Sequence, residues 1–458
     1  MINIKQIPIE QRSDFSNIKP LLSDLKSFGK IDELLKQLEA HVEIFPLITY
    51  LESRYVDSEF TSTYSSFHSK KHKSLQKETY RLHFFDENSG EYYGFIVIRP
   101  SFVNNKGRAY LSPKLFNRKG FMISTEFEAN IIGENHKILA FPWMSQETDI
   151  SVCAHVSLWQ VIKYLSTKYH YQFRTINDIV ELTPTHKKRA IPSSGINLIQ
   201  MSSVLNHVGL NPVLLQRTDN KNFDGSLFAY IESGLPVICA NETKGHAFVA
   251  IGHGELDNDK LASSNERFLF SWDLIDKIIV SDDNYLPYKE LQTNSDDFTQ
   301  INFLLVPNYY KMYLAADIVI EKVRLLIESN EFYASKDDKI IARIYMTSSR
   351  SLKKYFSSFR DESNSDKFLS EFADLVVKLD MPKFIWCVDI STIEEFASKL
   401  TSQKVIIDAT AGTQEEDLWI LKQKKDSVIY FDQESGESQI EELSIPAYPI
   451  YINNLKEF

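Results

Sequence analysis

The chain is poor in cysteine, with three in 458 residues. Cys153, Cys239 and Cys387 lie far apart and form no CxxC pair, which excludes a disulfide framework, a zinc ribbon and a thioredoxin-type motif. Glycine is scarce at 15 residues, which argues against a glycine-rich nucleotide-binding architecture. No apolar run reaches the ~18 residues that a membrane-spanning helix needs, so no membrane partner is expected. The opening MINIKQIPIEQRSDF lacks a positive stretch followed by an apolar core, so no secretory signal is expected. An excess of positive charge is also missing: 51 Lys and Arg face 62 Asp and Glu, a net charge of −11. This gives no general affinity for nucleic acid or anionic lipid. Free thiols without an export signal point to a reducing, cytoplasmic setting.

What is present is ordinary globular material, 43% hydrophobic and 25% charged, with 30 Phe and 22 Tyr to fill large cores. The length predicts two or three domains. Residues 16–40 read as a helix, from Leu21, Leu22, Leu25, Phe28, Ile31, Leu34, Leu35 and Leu38 at helical spacing. A polar stretch at 61–77 reads as a loop, and 79–143 as a succession of strands punctuated by Gly and Asn. Helices are expected over 154–166 and 195–208, the second opening at Gly195. Strands follow in NPVLLQ, LPVICAN, HAFVAIGH, RFLFSW and KIIVSDD, an α+β pattern. Beyond about residue 310 the spacing predicts a long helix over 309–329 and apolar strands in IIARIYM, KFIWCVDI, KVIIDAT and SVIYFD.

A thiol nucleophile needs stabilisation of its thiolate, a histidine to hold the ion pair, and a group orienting that histidine. It also needs donors for the oxyanion that forms on the attacked carbonyl. Cys153 stands at the start of the 154–166 helix, where unpaired N–H groups and the helix dipole favour a thiolate. Its own N–H and the Gln146 side-chain amide are the oxyanion candidates. In LPVICANETKGHAFVAIGH a strand, a polar turn and Gly245 lead into His246, the candidate base. The strand KIIVSDD ends in Asp282 and Asp283, either of which is able to fix the imidazole tautomer.

At these residues the chain resembles the papain-like cysteine peptidases, especially compact bacterial members of the C39-like type. The resemblance rests on an ordered set: Gln146 ahead of the helix-starting Cys153, Gly234-Leu-Pro-Val237, Gly245-His246, and an Asp closing the next strand. It spans residues 141–310 and is silent on the flanks. Three features depart from the family pattern. Ala154-His155 follows the cysteine where small Gly-containing sequences are common. Gln146 stands seven positions before Cys153, close to the usual spacing. The long His246-to-Asp282 interval is explained by an inserted hairpin tip over Glu255–Glu266.

With the flanking regions read from their own element patterns, the resemblance implies an α+β protein in three parts: an N-terminal helix and β-rich region at 1–140, whose strands alternatively complete the core's sheet, a papain-like core at 141–310, and a C-terminal α/β region at 311–458. It implies a cysteine peptidase cutting a peptide or isopeptide bond through a thioester. The expected catalytic set is Cys153, His246, Asp282 or Asp283, and Gln146. A deamidase or transglutaminase would use the same constellation, and an inactive scaffold serving as a binding or sensor protein is the reading from another class. A bacterial defence or conflict setting enters by analogy only. The expected partner is a protein or peptide substrate, with a further protein docking on either flanking region.

His253 and His155 are rivals to His246. His253 falls on the opposite strand face, and His155 diverges from Cys153 around the helix. Cys239 and Cys387 read as core residues. The runs His186-Lys-Lys-Arg189 and Ser69-Lys-Lys-His-Lys73 read as solvated loops, the first alternatively closing over the cleft to attract an acidic substrate. A zinc site from Cys153, His246 and an Asp lacks the local ligand pair of most zinc sites, so neither metal nor cofactor is expected.

Overall fold

The computed structural model describes residues 3–458 apart from 23–24, 26–30, 71–74, 102–103, 148–150, 184–194, 265, 330–331, 333–338, 362–365, 413–417 and 433–434. The run His186–Arg189 and part of Ser69–Lys73 therefore lie outside the described residues. The protein is of mixed α+β class, with three large sheets.

The first sheet is antiparallel and uses only N-terminal residues. Its seven strands run in the order Ile4–Ile9, Leu47–Tyr55, Thr79–Asp86, Tyr92–Ile98, Lys106–Leu111, Glu134–Met144, Thr125–Ile131. Position in the sheet follows composition. Tyr92–Ile98 (YYGFIVI) is buried at every residue and lies centrally. Thr125–Ile131 (TEFEANI) alternates buried and exposed residues and forms an edge.

The second sheet orders Lys289–Gln292, Lys277–Ser281, His246–His253, Val237–Asn241, Phe303–Val306 and Val213–Gln216. The helix Cys153–Tyr169 packs against both Glu134–Met144 of the first sheet and His246–His253 of the second. Burial along its length fits that double role, since Val156, Leu158, Trp159, Val161, Ile162 and Leu165 are all fully buried.

The third sheet comprises Phe268–Phe270, Ile340–Ser348, Phe384–Thr392, Gln403–Asp408, Trp419–Gln423, Ser427–Asp432 and Glu437–Glu442. Two strands cross between regions distant in sequence. Phe268–Phe270, read in the sequence with the strands of the second sheet, instead pairs in parallel with Ile340–Ala342 of the third. Near the C-terminus, Leu455–Glu457 pairs with Phe121–Ile123, which in turn pairs with Gly252 and His253 of the second sheet.

Several local expectations are corrected. The span 16–40 holds a 3-10 helix, Arg12–Leu22, and an α-helix, Ile31–His41, rather than one helix. Pro20 lies within the former, where it removes a donor that an α-helix would use. The supposed loop at 61–77 begins inside the helix Ser58–Ser66, capped by Asp57 accepting from the Phe60 N–H. Burial of Phe60 and Thr63 outweighs the polar composition that suggested a loop. Glu255–Glu266 contains the helix Asn258–Ser263, capped by Asp257, in place of a hairpin tip. The 195–208 helix begins at Leu198, where Asn197 and Gln200 form a capping box. The helix expected over 309–329 runs from Ala316 to Glu328, its first residues being an irregular lead-in.

Candidate active site

Cys153 is the first residue of its helix, following Val152 in extended backbone conformation. At that position its N–H has no partner within the helix. Val152 has no capping side chain of its own, and the start of the helix is held in another way. His155 Nδ1 accepts the Val152 N–H at 3.4 Å. Burial pushes the His155 imidazole down to about 4, so it stays neutral and able to accept. This rival histidine thus braces the helix that Cys153 opens.

Cys153 is partly exposed, whereas Cys239 and Cys387 are fully buried. Burial pushes both of those thiols up to about 12, and they remain protonated core residues. The Cys153 sulfur lies 4.0 Å from the Gly245 carbonyl oxygen. Gly245 has φ +59°, a left-handed turn conformation that delivers His246 to the start of its strand.

His246 Nε2 bonds to Asp282 Oδ1 at 3.1 Å, and its ring also interacts with the Cys153 side chain. Burial opposes a charge on the ring, but hydrogen bonds to Asp282 and Cys153, and their negative charge, raise it to about 10. His246 is therefore an imidazolium at neutral pH when the sulfur beside it is a thiolate.

The two adjacent aspartates have opposite surroundings. Asp282 accepts from His246 and from the Asn284 N–H at 3.0 Å. Burial alone would raise its carboxyl, but the bond to His246 and the imidazolium charge hold it low. Asp283 is 3% exposed, and neither of its oxygens meets a hydrogen-bond donor among the described residues. Burial, followed by the negative charge of Asp282, pushes it up to about 7.

The N-terminal sheet fixes this turn through residues that no sequence motif marks. The Trp143 indole N–H donates to the Asp282 carbonyl at 2.9 Å, and Ser145 Oγ donates to the Asp283 carbonyl at 3.0 Å. The Asn284 carbonyl accepts from Gln37 Nε2 at 3.1 Å and from the buried Lys106 Nζ at 3.4 Å. The nearest signal in the sequence was the polar residues of a helix and of a buried strand.

Gln146 is placed in the same neighbourhood, with Nε2 donating to Asn284 Oδ1 at 3.4 Å. Its backbone is clamped from the first sheet. Arg99 Nη2 donates to the Ser145 and Gln146 carbonyls at 3.2 and 2.8 Å, and Nη1 pairs with Glu147 Oε2 at 3.5 Å. His68 Nε2 and Ser101 Oγ reach Glu147 Oε1 at 2.8 and 3.2 Å. Burial works against the Glu147 charge, and Arg99 and His68 keep its carboxyl low nonetheless.

His253 faces away from this site. Its Nε2 contacts Glu232 Oε1 at 3.0 Å and its Nδ1 the Gly254 carbonyl at 2.7 Å.

The arrangement thus places a partly exposed thiol at a helix start, 4.0 Å from the Gly245 carbonyl, next to a strand-starting imidazole that bonds a buried carboxylate. A scan against protein-family models finds no match to this chain, and a search of curated proteins finds none either.

Proposed function

We propose that the protein is a thiol acyl-transfer enzyme acting as a cysteine peptidase on a peptide or isopeptide bond, with a papain-like arrangement of helix and sheet. The observation that carries this reading is the bond between His246 and Asp282 beside the partly exposed Cys153, whose sulfur lies 4.0 Å from the carbonyl of Gly245, the residue before His246. An imidazolium held by a carboxylate on one nitrogen stabilises a thiolate facing the other.

In this reaction the Cys153 sulfur attacks the carbonyl carbon, and the oxyanion is met by the Cys153 N–H and the Gln146 amide. The C–N bond breaks as His246 gives its proton to the leaving amine, which leaves a thioester on Cys153. Water then attacks the thioester carbonyl, His246 takes its proton, and the acid is released with the thiol restored. An amine in place of water would give transamidation by the same residues. Asp282 orients the ring throughout, and the bonds from Trp143 and Asn284 hold Asp282 in place.

Iodoacetamide labelling of the folded protein tests the proposal. Cys239 and Cys387 are inaccessible, so preference for Cys153 alone decides nothing. The deciding variant is His246→Ala, expected to slow Cys153 labelling at neutral pH by more than about tenfold because the thiolate loses its counter-ion. Unchanged labelling would refute the ion pair. A biological effect that survives Cys153→Ala would favour the binding-scaffold reading instead.

A further inference from the structure

The helix that Cys153 opens runs for 17 residues to Tyr169, about 25 Å at the usual rise. At that far end a cavity of about 500 Å3 lies between Tyr169 and the third sheet, which contributes Met346–Ser348 and Phe384 to its lining. Aromatic rings wall it. Tyr309 stacks on Phe384 with centroids 5.0 Å apart and planes 5° off parallel, and Tyr169 meets the Tyr309 ring edge-on at 5.6 Å. The Tyr169 hydroxyl is buried beside Tyr164, Tyr309 and Asn454, yet none of them stands in hydrogen-bonding geometry to it. The polar part of the lining includes Lys383, His170, Ser348 and Ser351 but no Asp or Glu, in a chain where acidic residues outnumber basic ones 62 to 51. Ser348 caps the helix Ser349–Ser357 by accepting the Ser351 N–H at 3.1 Å, and the Lys383 carbonyl accepts the Ser349 N–H at 3.1 Å. The Lys383 ammonium pairs with no carboxylate among the described residues and lies 5.2 Å from the Phe384 ring.

We propose that this cavity is a binding site for a nucleotide-sized ligand, a planar heteroaromatic ring joined to a phosphate group. Each half of such a ligand finds its counterpart here. A helix start favours an anion through its dipole, and phosphate oxygens accept from hydroxyl and ammonium donors of the kind that Ser348, Ser351 and Lys383 supply. The helix itself, SRSLKKYFS, adds three basic residues and no acidic one. A flat ring stacks on Tyr and Phe side chains, as bases do on aromatic platforms. The Tyr169 hydroxyl is able to donate to a ring nitrogen or carbonyl. The volume falls within the range of about 300–1,000 Å3 typical of small-molecule pockets. A site of this form uses no glycine-rich loop, in keeping with the chain's 15 glycines. It lies at the other end of the helix from Cys153, and the proposal stands or falls separately from the peptidase reading.

The test is calorimetric titration of the full chain at neutral pH with AMP, GMP, CMP and UMP, and with the matching nucleosides and inorganic phosphate as probes of each half. The expected result is one saturable site for at least one monophosphate, with its nucleoside and inorganic phosphate each binding more than about tenfold more weakly. Lys383→Glu reverses an exposed charge, and Ser351→Asp places a carboxylate in the first turn of the helix, where the dipole favours it. Both variants are therefore expected to fold, and each should weaken binding by more than about tenfold by setting a negative charge against the phosphate. Cys153→Ala should leave binding unchanged. Absence of saturable binding by all four monophosphates, equal binding of the bare nucleoside, or binding that survives both Lys383→Glu and Ser351→Asp would overturn the proposal.

Discussion

Asp282 and Asp283 show how little separates a ring-orienting carboxylate from an isolated one. They are neighbours of equal chemistry in a turn after one strand, yet only Asp282 reaches His246. The choice is made by backbone anchors. Trp143 holds the Asp282 carbonyl and Ser145 the Asp283 carbonyl, which sets the direction of both side chains. Trp143→Phe should therefore strand a buried acceptor and lower stability by about 1–3 kcal/mol, read from urea unfolding. Asp282→Asn should slow Cys153 labelling more than Asp283→Asn does, because only the first change touches the ring; equal effects would refute this division of roles. At this scale the sequence was informative about chemistry and order along the chain. Cys153, Gly245-His246 and the aspartate pair were all legible as candidates. The anchors were not, because Trp143, Lys106 and Gln37 act through contacts between residues far apart in the chain.

At the scale of elements, the segment leading into the Cys153 helix owes its path to the N-terminal sheet. Arg99 donates to two successive carbonyls, at Ser145 and Gln146, and pairs with the buried Glu147. Its three contacts fix Gln146 only a few residues ahead of the thiol. Arg99→Met should leave Glu147 buried with weakened compensation and lower stability by about 3–5 kcal/mol. Denaturant titration measures this, and a loss under ~1 kcal/mol would show that His68 and Ser101 suffice. The N-terminal region is by this geometry part of the site's scaffold. Strands such as Tyr92–Ile98 and Ile340–Ser348 were legible because continuous apolar runs leave few alternatives. The helices Ser58–Ser66 and Asn258–Ser263 were missed because their signals are single caps, Asp57 and Asp257, within polar sequence.

At the scale of the whole molecule, the second and third sheets are tied by a buried ion network that no local pattern reveals. Glu232 ends the largely buried helix Phe223–Glu232, and its carboxylate meets His253 of the second sheet and Arg343 of the third. Arg343 continues to Asp389 at 3.3 Å, and Asp389 pairs with Lys404. Partners in it are separated by up to 111 positions. Burial by itself would raise the Glu232 carboxyl, but the charges of Arg343 and His253 hold it down at about 2, against an ordinary 4.5. A carboxylate depressed by folding stabilises the protein above its unfolded pKa. That stability is lost as pH falls from about 4.5 through about 2, where the unfolded chain takes up the proton first. The shift corresponds to about 3 kcal/mol. Glu232→Gln should remove this contribution to acid sensitivity. Near neutral pH it should lower stability by about 3–5 kcal/mol, because the buried Arg343 keeps its charge without its Glu232 partner. Thermal unfolding of both forms across pH 2 to 7 measures the two effects together. The wild type should converge on the variant as pH falls through this window; parallel curves would place the acid-sensitive contact elsewhere.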